Sequence, residues 1–320
     1  MVECDRCIKF DLMKGNDMIA EPLLSIESDV IMPSMEIGAF EALWANGVSS
    51  FKQLRDKLAL SNTMLPSNLV SQSTAKQFYD RTMSRLHTAG IDHFGVRIDG
   101  TIDYPKQLHD ADYPLVLFYY QGLWDLVYTQ GVSVVGTRKP SDEGIKRTKR
   151  LVKALVDAKY TIYSGLAAGI DAAAHQAAIE NGGFTVAVTG TPLWLSYPKE
   201  NAELQKEIVK NHLLISQVPV VSYEEKGMNF TRLFFPERNI TMAALSAATI
   251  IVEAGETSGT LKQAKAALKQ GRKVFILNNN FENPHLTWPK KLEESGAIRV
   301  HEIDDIPQGL TSGTDQITED

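Results

Sequence analysis

The sequence has few cysteines, no excess of positive charge and no long uninterrupted apolar run. Its 320 residues include two cysteines, Cys4 and Cys7, which excludes a disulfide framework and leads us to expect a reducing, cytoplasmic location. The net charge of -6 argues against a protein that coats nucleic acid by bulk charge, although it leaves room for a local basic groove. The apolar segment 240–252 is too short for a membrane span, which needs about 20 residues, and no signal peptide is apparent.

The overall amino-acid composition is that of an ordinary globular protein. Hydrophobic residues make up 43% and charged residues 22%, which excludes wholesale disorder, and the length suggests about two domains. Residues 1–30 are interpreted as an N-terminal arm. Helical periodicity predicts a small helical domain over residues 31–90. Residues 91–306 are predicted to form a larger α/β domain, and 307–320 a disordered acidic tail.

Beyond residue 91, short strands rich in Val, Ile and Leu alternate with helices. Residues 132–135, 161–164 and 185–188 are typical of buried parallel strands. The alternation indicates right-handed βαβ units, and so an extended Rossmann-like, doubly wound parallel sheet preceded by the small helical domain. Ligands of such sheets bind at the carboxyl ends of the strands, so the strand-to-helix loops are where a functional site is expected.

The first such loop, residues 136–144, has the features of an anion site. It leads from a strand into a helix, whose free N–H groups and dipole attract a phosphate. The candidate ligands in it are Gly136, Thr137, Arg138, Lys139 and Ser141. The region from Arg138 to Lys153 contains seven basic and two acidic residues, although a solvated helix face would explain its helical part. Neither a P-loop nor a dinucleotide-binding glycine pattern is present.

Two further loops are rich in small residues, which let a backbone approach a ligand closely. The phosphate-binding candidates are Ser164, Gly165, Ala168 and Gly169 in the second loop (164–171) and Ser258, Gly259 and Thr260 in the fifth loop (253–260). Capping of the following helix is the alternative role of the fifth loop. Asp171 is interpreted as a helix N-cap and His175 as a packed histidine, because no nucleophile accompanies this acid–base pair.

Aromatic and basic side chains occur together in the third loop (190–201) and the fourth loop (234–239). The candidates are Lys199 in the third loop and Phe235, Arg238 and Asn239 in the fourth. This combination suits single-stranded nucleic acid, because bases stack on rings at about 1–3 kcal/mol each while cations hold phosphates. Since adjacent aromatics on a strand cannot both face one way, at least one of Phe234 and Phe235 is expected to be exposed for stacking, and core packing of both is the alternative.

Taken in order, these loops resemble the DNA-processing protein A (DprA/Smf) family. The resemblance rests on Tyr104-Pro105 with 112–115, then 134–141, 164–175, Tyr197-Pro198 with Asn201, 236–239, and 252–254 with 258–261. It implies an extended Rossmann-like fold, homodimers, and loading of the recombinase RecA onto single-stranded DNA during natural transformation. It places DNA contacts at Arg138, Phe235, Arg238 and Asn239. The chain departs from the family at Thr137, usually Ser, and at Ile240, usually basic, and a C-terminal winged helix is not apparent.

Two other functions stay open from the residues themselves. A nucleoside monophosphate phosphoribohydrolase would share the Rossmann-like fold, but its Pro-Gly-Gly-x-Gly-Thr stretch has no match in residues 253–260. A nucleotide sensor, for example in phage defence, would lack a DNA partner. The main prediction is a non-enzymatic protein that binds single-stranded DNA and uses no cofactor and no membrane. We also expect no metal, since Cys4 and Cys7 would supply only two of the four ligands of a zinc site.

Overall fold

The computed structural model describes residues 31–303 and 306–311. The strands are β1 (Gly95–Ile98), β2 (Leu117–Gly122), β3 (Gly131–Val135), β4 (Thr161–Ser164), β5 (Thr185–Thr189), β6 (Leu213–Ser216), β7 (Ala248–Ile251), β8 (Lys273–Leu277) and β9 (Ile298–Val300). The helices are α1 (Pro33–Ala45), α2 (Phe51–Leu60), α3 (Gln72–Thr88), α4 (Asp142–Asp157), α5 (Ile170–Glu180), α6 (Ala202–Asn211), α7 (Val220–Glu225), α8 (Met228–Thr231), α9 (Phe234–Leu245), α10 (Thr260–Lys269), α11 (Asn279–Glu282), α12 (Trp288–Glu294) and α13 (Ile306–Thr311).

The predicted doubly wound parallel sheet is confirmed. The strand order is β1-β2-β6-β5-β4-β3-β7-β8-β9, and the strands from β6 to β9 in that order pair in parallel. Every residue of β3 to β7 is buried, which is why these strands are continuous apolar runs. The chain leaves β3 towards β4 and later returns to β7 on its other side. The switch point of the sheet therefore lies between β3 and β7.

One edge of the sheet differs from the parallel arrangement. Strands β1 and β2 pair with each other antiparallel, and β2 pairs antiparallel with β6. The opposite edge is β9, a three-residue strand that the sequence did not indicate, since two of its residues are exposed.

The N-terminal helices share a core with the sheet. Ser50 and Ser71 cap α2 and α3 by accepting hydrogen bonds from the amides of Gln53 and Thr74. Trp44 belongs to the same buried apolar cluster as residues of β2 and β6, and lies against helix α9 through Phe234. The helices predicted over residues 31–90 are therefore present, and their apolar faces pack on the α/β part of the chain.

The chain ends contain two further predicted segments. The predicted arm, 1–30, lies outside the described residues, as do 312–320. The tail predicted for 307–320 is incorrect at its start, because residues 306–311 form helix α13. Ile306 is buried in an apolar cluster that includes residues of β3 and β7, and Leu310 packs against this cluster. These contacts stabilise helix α13. No helix in the described part of the chain is long and apolar enough to cross a membrane.

A fully buried carboxyl group, that of Glu41, joins α1 to the sheet and to α7. The Tyr119 hydroxyl donates to it at 2.7 Å, and the amides of Val220 and Val221 donate at 2.8 and 2.9 Å. Burial raises the pKa of Glu41 to about 7, although these three donors favour the charged form.

We expect Glu41 to make the stability depend on pH. The folded state keeps the Glu41 proton up to about pH 7, whereas the unfolded chain loses it near 4.5, so the free energy of unfolding should fall as pH rises between these values. The contribution amounts to about 3 kcal/mol at most. Urea unfolding at several pH values should show this slope in the wild type and a flatter one in Glu41→Gln. Equal slopes would contradict the assignment.

Candidate functional site

The loops that follow β3, β4 and β7 meet at the switch point of the sheet. They and the start of α9 line a cleft of about 340 Å³. The predicted site residues on its wall are Gly136, Thr137, Arg138, Arg238, Asn239, Ser258, Gly259 and Thr260. The structure therefore brings the first, fourth and fifth loops together, and the second loop joins them through Ala167 and Asp171.

Backbone contacts hold the first loop against its neighbours. The Thr137 amide donates to the carbonyl of Glu253 at 2.7 Å, and the Thr137 carbonyl accepts from the Ile170 amide at 3.2 Å. Gly169 has a φ of 79°, and a Cβ there would lie 2.4 Å from the Thr137 oxygen, so only glycine fits. This packing leaves the start of the first loop on the wall of the cleft.

Arg138 is the exposed cation of this cleft. It makes no salt bridge within the described ranges, and its guanidinium carbon lies 5.9 Å from the centre of the Phe235 ring. An exposed arginine without an acidic partner, beside an aromatic ring, can hold a phosphate while a base contacts the ring.

Lys139 and Ser141 lie in a different place from Arg138. Both line a neighbouring cavity of about 520 Å³ rather than the cleft. The Ser141 amide and hydroxyl donate to the carboxylate of Glu253 at 3.0 and 2.7 Å, and its Oγ accepts from the Gly144 amide. Ser141 is thus a helix cap whose donors are already used, so the structure does not favour the predicted phosphate contact.

Buried polar groups attach the second loop (164–171) to the sheet. The hydroxyl of Ser164 is buried and donates to the Val134 carbonyl at 2.7 Å, so this side chain faces the sheet. Ala168 and Gly169 are partly exposed at the top of the loop, where Gly165 presents its carbonyl to Arg238.

The interpretation of Asp171 as the N-cap is wrong. Helix α5 begins at Ile170, so Asp171 lies in its first turn, where it accepts from the Ala167 amide at 3.4 Å and steadies the second loop. Burial raises its pKa, although the charge of Arg238 opposes this. The interpretation of His175 as a packed histidine is confirmed. It is fully buried, lies 2.6 Å from the Thr185 hydroxyl, and burial lowers its pKa to about 3.

Residues 234–239, predicted to form a loop, are the first six residues of helix α9, which begins at Phe234. The two phenylalanines diverge as expected. Phe234 is 2% exposed and packs in the core, whereas Phe235 is partly exposed and lies 5.6 Å from the ring of Tyr197. Tyr197 is itself 52% exposed, so the two rings form an accessible aromatic surface beside the cleft.

Arg238 points inward rather than into solvent. Its Nη1 donates to the carbonyls of Gly165 and, at 2.7 Å, Val188, and the side chain is buried. Burial lowers its pKa, while Asp171 favours the charged form. The structure therefore gives Arg238 a positioning role in the second loop, although it also lines the cleft.

The fifth loop is tied to the first and the fourth. The Asn239 amide group donates to the Gly259 carbonyl at 3.1 Å, and the Thr260 hydroxyl donates to the Gly136 carbonyl at 3.3 Å. The Ser258 hydroxyl accepts from the Thr260 amide at 3.3 Å, which resembles the capping role that was the alternative. Gly259 stays exposed between them.

Several basic residues lie away from the cleft. On α4, Lys146, Lys149 and Lys153 pair with Glu143, Glu180 and Asp157 at 2.7, 3.5 and 2.7 Å, which favours a solvated helix face. Lys199 is exposed in the third loop but does not line the cleft.

One exposed cation near the site in sequence does not line the cleft. Arg232 is exposed three residues before Phe235, with no salt bridge in the described part of the chain.

Comparison with known proteins places the chain among DNA-processing proteins. The profile of the family described as DNA recombination-mediator protein A matches residues 96–311. The DNA processing protein DprA of Bacillus subtilis is 32% identical over 247 residues, 76% of this chain and 80% of that protein. The protein Smf of a Synechocystis strain is 42% identical over 182 residues, 56% of this chain but 44% of that protein.

Two solved structures share the fold. DNA processing protein A from Streptococcus pneumoniae superposes with a TM-score of 0.67 and 28% identity, covering 86% of this chain and 97% of that one. The protein of the same name from Helicobacter pylori, whose structure was described for its single-stranded DNA binding mode, has a TM-score of 0.58 and 25% identity. That match covers 68% of this chain and 95% of that one.

Proposed function

Because this chain belongs to the DNA recombination-mediator protein A family, we propose that it binds single-stranded DNA in the cleft and passes the strand to a RecA-type recombinase. It would do so as a homodimer and without catalysis. The observation that carries the DNA-binding proposal is Arg138, an exposed cation that has no acidic partner among residues 31–303 and 306–311 and lies beside the accessible ring of Phe235. The relative from Helicobacter pylori, described as binding single-stranded DNA, supports the same ligand class.

The geometry suggests how a strand is held. On the wall of the cleft, the proposed phosphate contacts are Gly136, the hydroxyl of Thr137, Arg138, Asn239, Ser258, Gly259 and Thr260. Ala168 and Gly169 at the top of the second loop, Lys139 in the neighbouring cavity and Lys199 in the third loop would contact phosphates of the strand beyond the cleft. Bases stack on Phe235, whose surface Tyr197 extends. Ser141, Ser164 and Arg238 serve by positioning the loops. Stacking and phosphate contacts are not base-specific, so binding should tolerate any sequence.

A salt titration of oligothymidylate binding tests this function. With about three phosphates neutralised, log affinity should fall against log salt with a slope near -2. Fluorescence anisotropy of a labelled oligomer measures the affinity, and thymidine monophosphate serves as the competitor. Salt-independent binding, or a mononucleotide that competes as well as the oligomer, would contradict the proposal and favour a nucleotide sensor. Release of free base from nucleoside monophosphates would instead indicate the hydrolase.

A further inference from the structure

The carboxylate of Glu253 occupies the position that an anion would take at the N-terminus of α4. Its Oε1 accepts from the Ser141 amide at 3.0 Å, and its Oε2 accepts from the Ser141 hydroxyl at 2.7 Å. Arg147, one turn into the helix, lies 4.0 Å from Oε2. A helix N-terminus favours negative charge, so the protein's own carboxylate satisfies this site.

The absence of a side chain at Gly144 leaves room for the Glu253 carboxylate. A Cβ on Gly144 would lie 2.3 Å from Oε2 of Glu253, so any larger residue at position 144 would displace the carboxylate. The Glu253 side chain is 25% exposed, because it lies against the end of the helix rather than extending into solvent.

Glu253 also contacts the other end of the first loop. Its backbone carbonyl accepts from the Thr137 amide at 2.7 Å, while its carboxylate binds Ser141. One residue of the fifth loop therefore anchors the first loop at two points. Arg138 and Lys139, the two cations of that loop, lie between these points.

We infer that Glu253 is a positioning residue for single-stranded DNA, whose carboxylate fixes the first loop so that Arg138 is presented at the cleft. This inference rests on the proposed function. A loop that is ordered before binding loses less conformational entropy when the strand binds, and so gives a higher affinity.

Charge alone gives the opposite expectation. A carboxylate close to a polyanion repels it, so removing the negative charge should tighten DNA binding. If Glu253 positions the loop, removing its side chain should weaken binding despite the lost repulsion. The sign of the change therefore separates the two effects.

The test compares Glu253→Ala and Glu253→Gln with Glu143→Gln. The control removes an exposed carboxylate from the first turn of the same helix, where Glu143 pairs with Lys146 at 2.7 Å. We expect Glu253→Ala to bind oligothymidylate about tenfold more weakly with an unchanged salt slope, because the same phosphates are bound. Glu253→Gln, whose amide can still accept from the Ser141 amide, should lie between. Glu143→Gln should bind as the wild type or slightly more tightly.

Hydrogen exchange without DNA gives a second measurement. The amides of Thr137 and Ser141 should exchange faster in Glu253→Ala than in the wild type, while those of the sheet stay protected. If Glu253→Ala does not fold, Ser141→Ala removes one of the two carboxylate contacts and should weaken binding about threefold. A folded Glu253→Ala that binds as well as or better than the wild type, or exchange that is unchanged, overturns the inference. A wild type that does not bind oligothymidylate overturns the proposed function, and this inference with it.

Discussion

Phe234→Ala is expected to lower the free energy of unfolding by about 3–5 kcal/mol, because it leaves a cavity in the core. The Phe234 ring is 2% exposed and lies 5.5 Å from Trp44, 5.2 Å from Phe230 and 6.1 Å from Phe51. The four rings belong to α1, α2, α8 and α9, so the cavity weakens the packing of the N-terminal helices against α8 and α9. Chemical denaturation measures the change.

The neighbouring ring should behave in the opposite way. Phe235→Ala should change the stability by about 1 kcal/mol, because the ring is only partly buried. It should weaken oligothymidylate binding about tenfold through the lost stacking surface. Phe235→Leu is the matched control, since it keeps the apolar bulk without a ring face. Wild-type affinity in Phe235→Leu would show that stacking on this side chain does not contribute.

The strands and their parallel order were predictable for a physical reason. Residues of β3 to β7 are buried on both faces, so burial alone dictates continuous apolar segments, and the helices between them impose parallel pairing. The antiparallel pairing of β1 and β2 was not predicted, because residues 99–116 contain neither a tight hairpin turn nor a crossover helix, and so the connection does not indicate the direction of pairing. The short edge strand β9 lacks burial, and therefore lacks an apolar signal.

The site shows the same division between local and distant contacts. The first loop was recognisable because its glycine, cations and helix cap are adjacent in sequence. The pairing of Ser141 with Glu253 was not, since the two residues are 112 positions apart. The inward direction of Arg238 depends likewise on carbonyls of Gly165 and Val188, 73 and 50 positions away. The motif shows that an arginine is present at position 238, but the fold is needed to show that its guanidinium already binds two backbone carbonyls.

Arg138→Ala should weaken binding of single-stranded DNA about tenfold or more, since a charged hydrogen bond to phosphate contributes about 1.5–3 kcal/mol. The matched control is Lys149→Ala on α4, whose lysine lies 3.5 Å from Glu180 and outside the cleft. Both variants remove one exposed positive charge from the same chain. Only the first removes it from the wall of the cleft.

The most direct test of the account is therefore the salt slope of oligothymidylate binding, measured side by side for the wild type, Arg138→Ala and Lys149→Ala. We expect a slope near -2 for the wild type and for Lys149→Ala, and about -1.3 for Arg138→Ala, because one phosphate contact is lost. A slope that changes in Lys149→Ala and not in Arg138→Ala would place the strand on helix α4 and contradict a DNA site in the cleft.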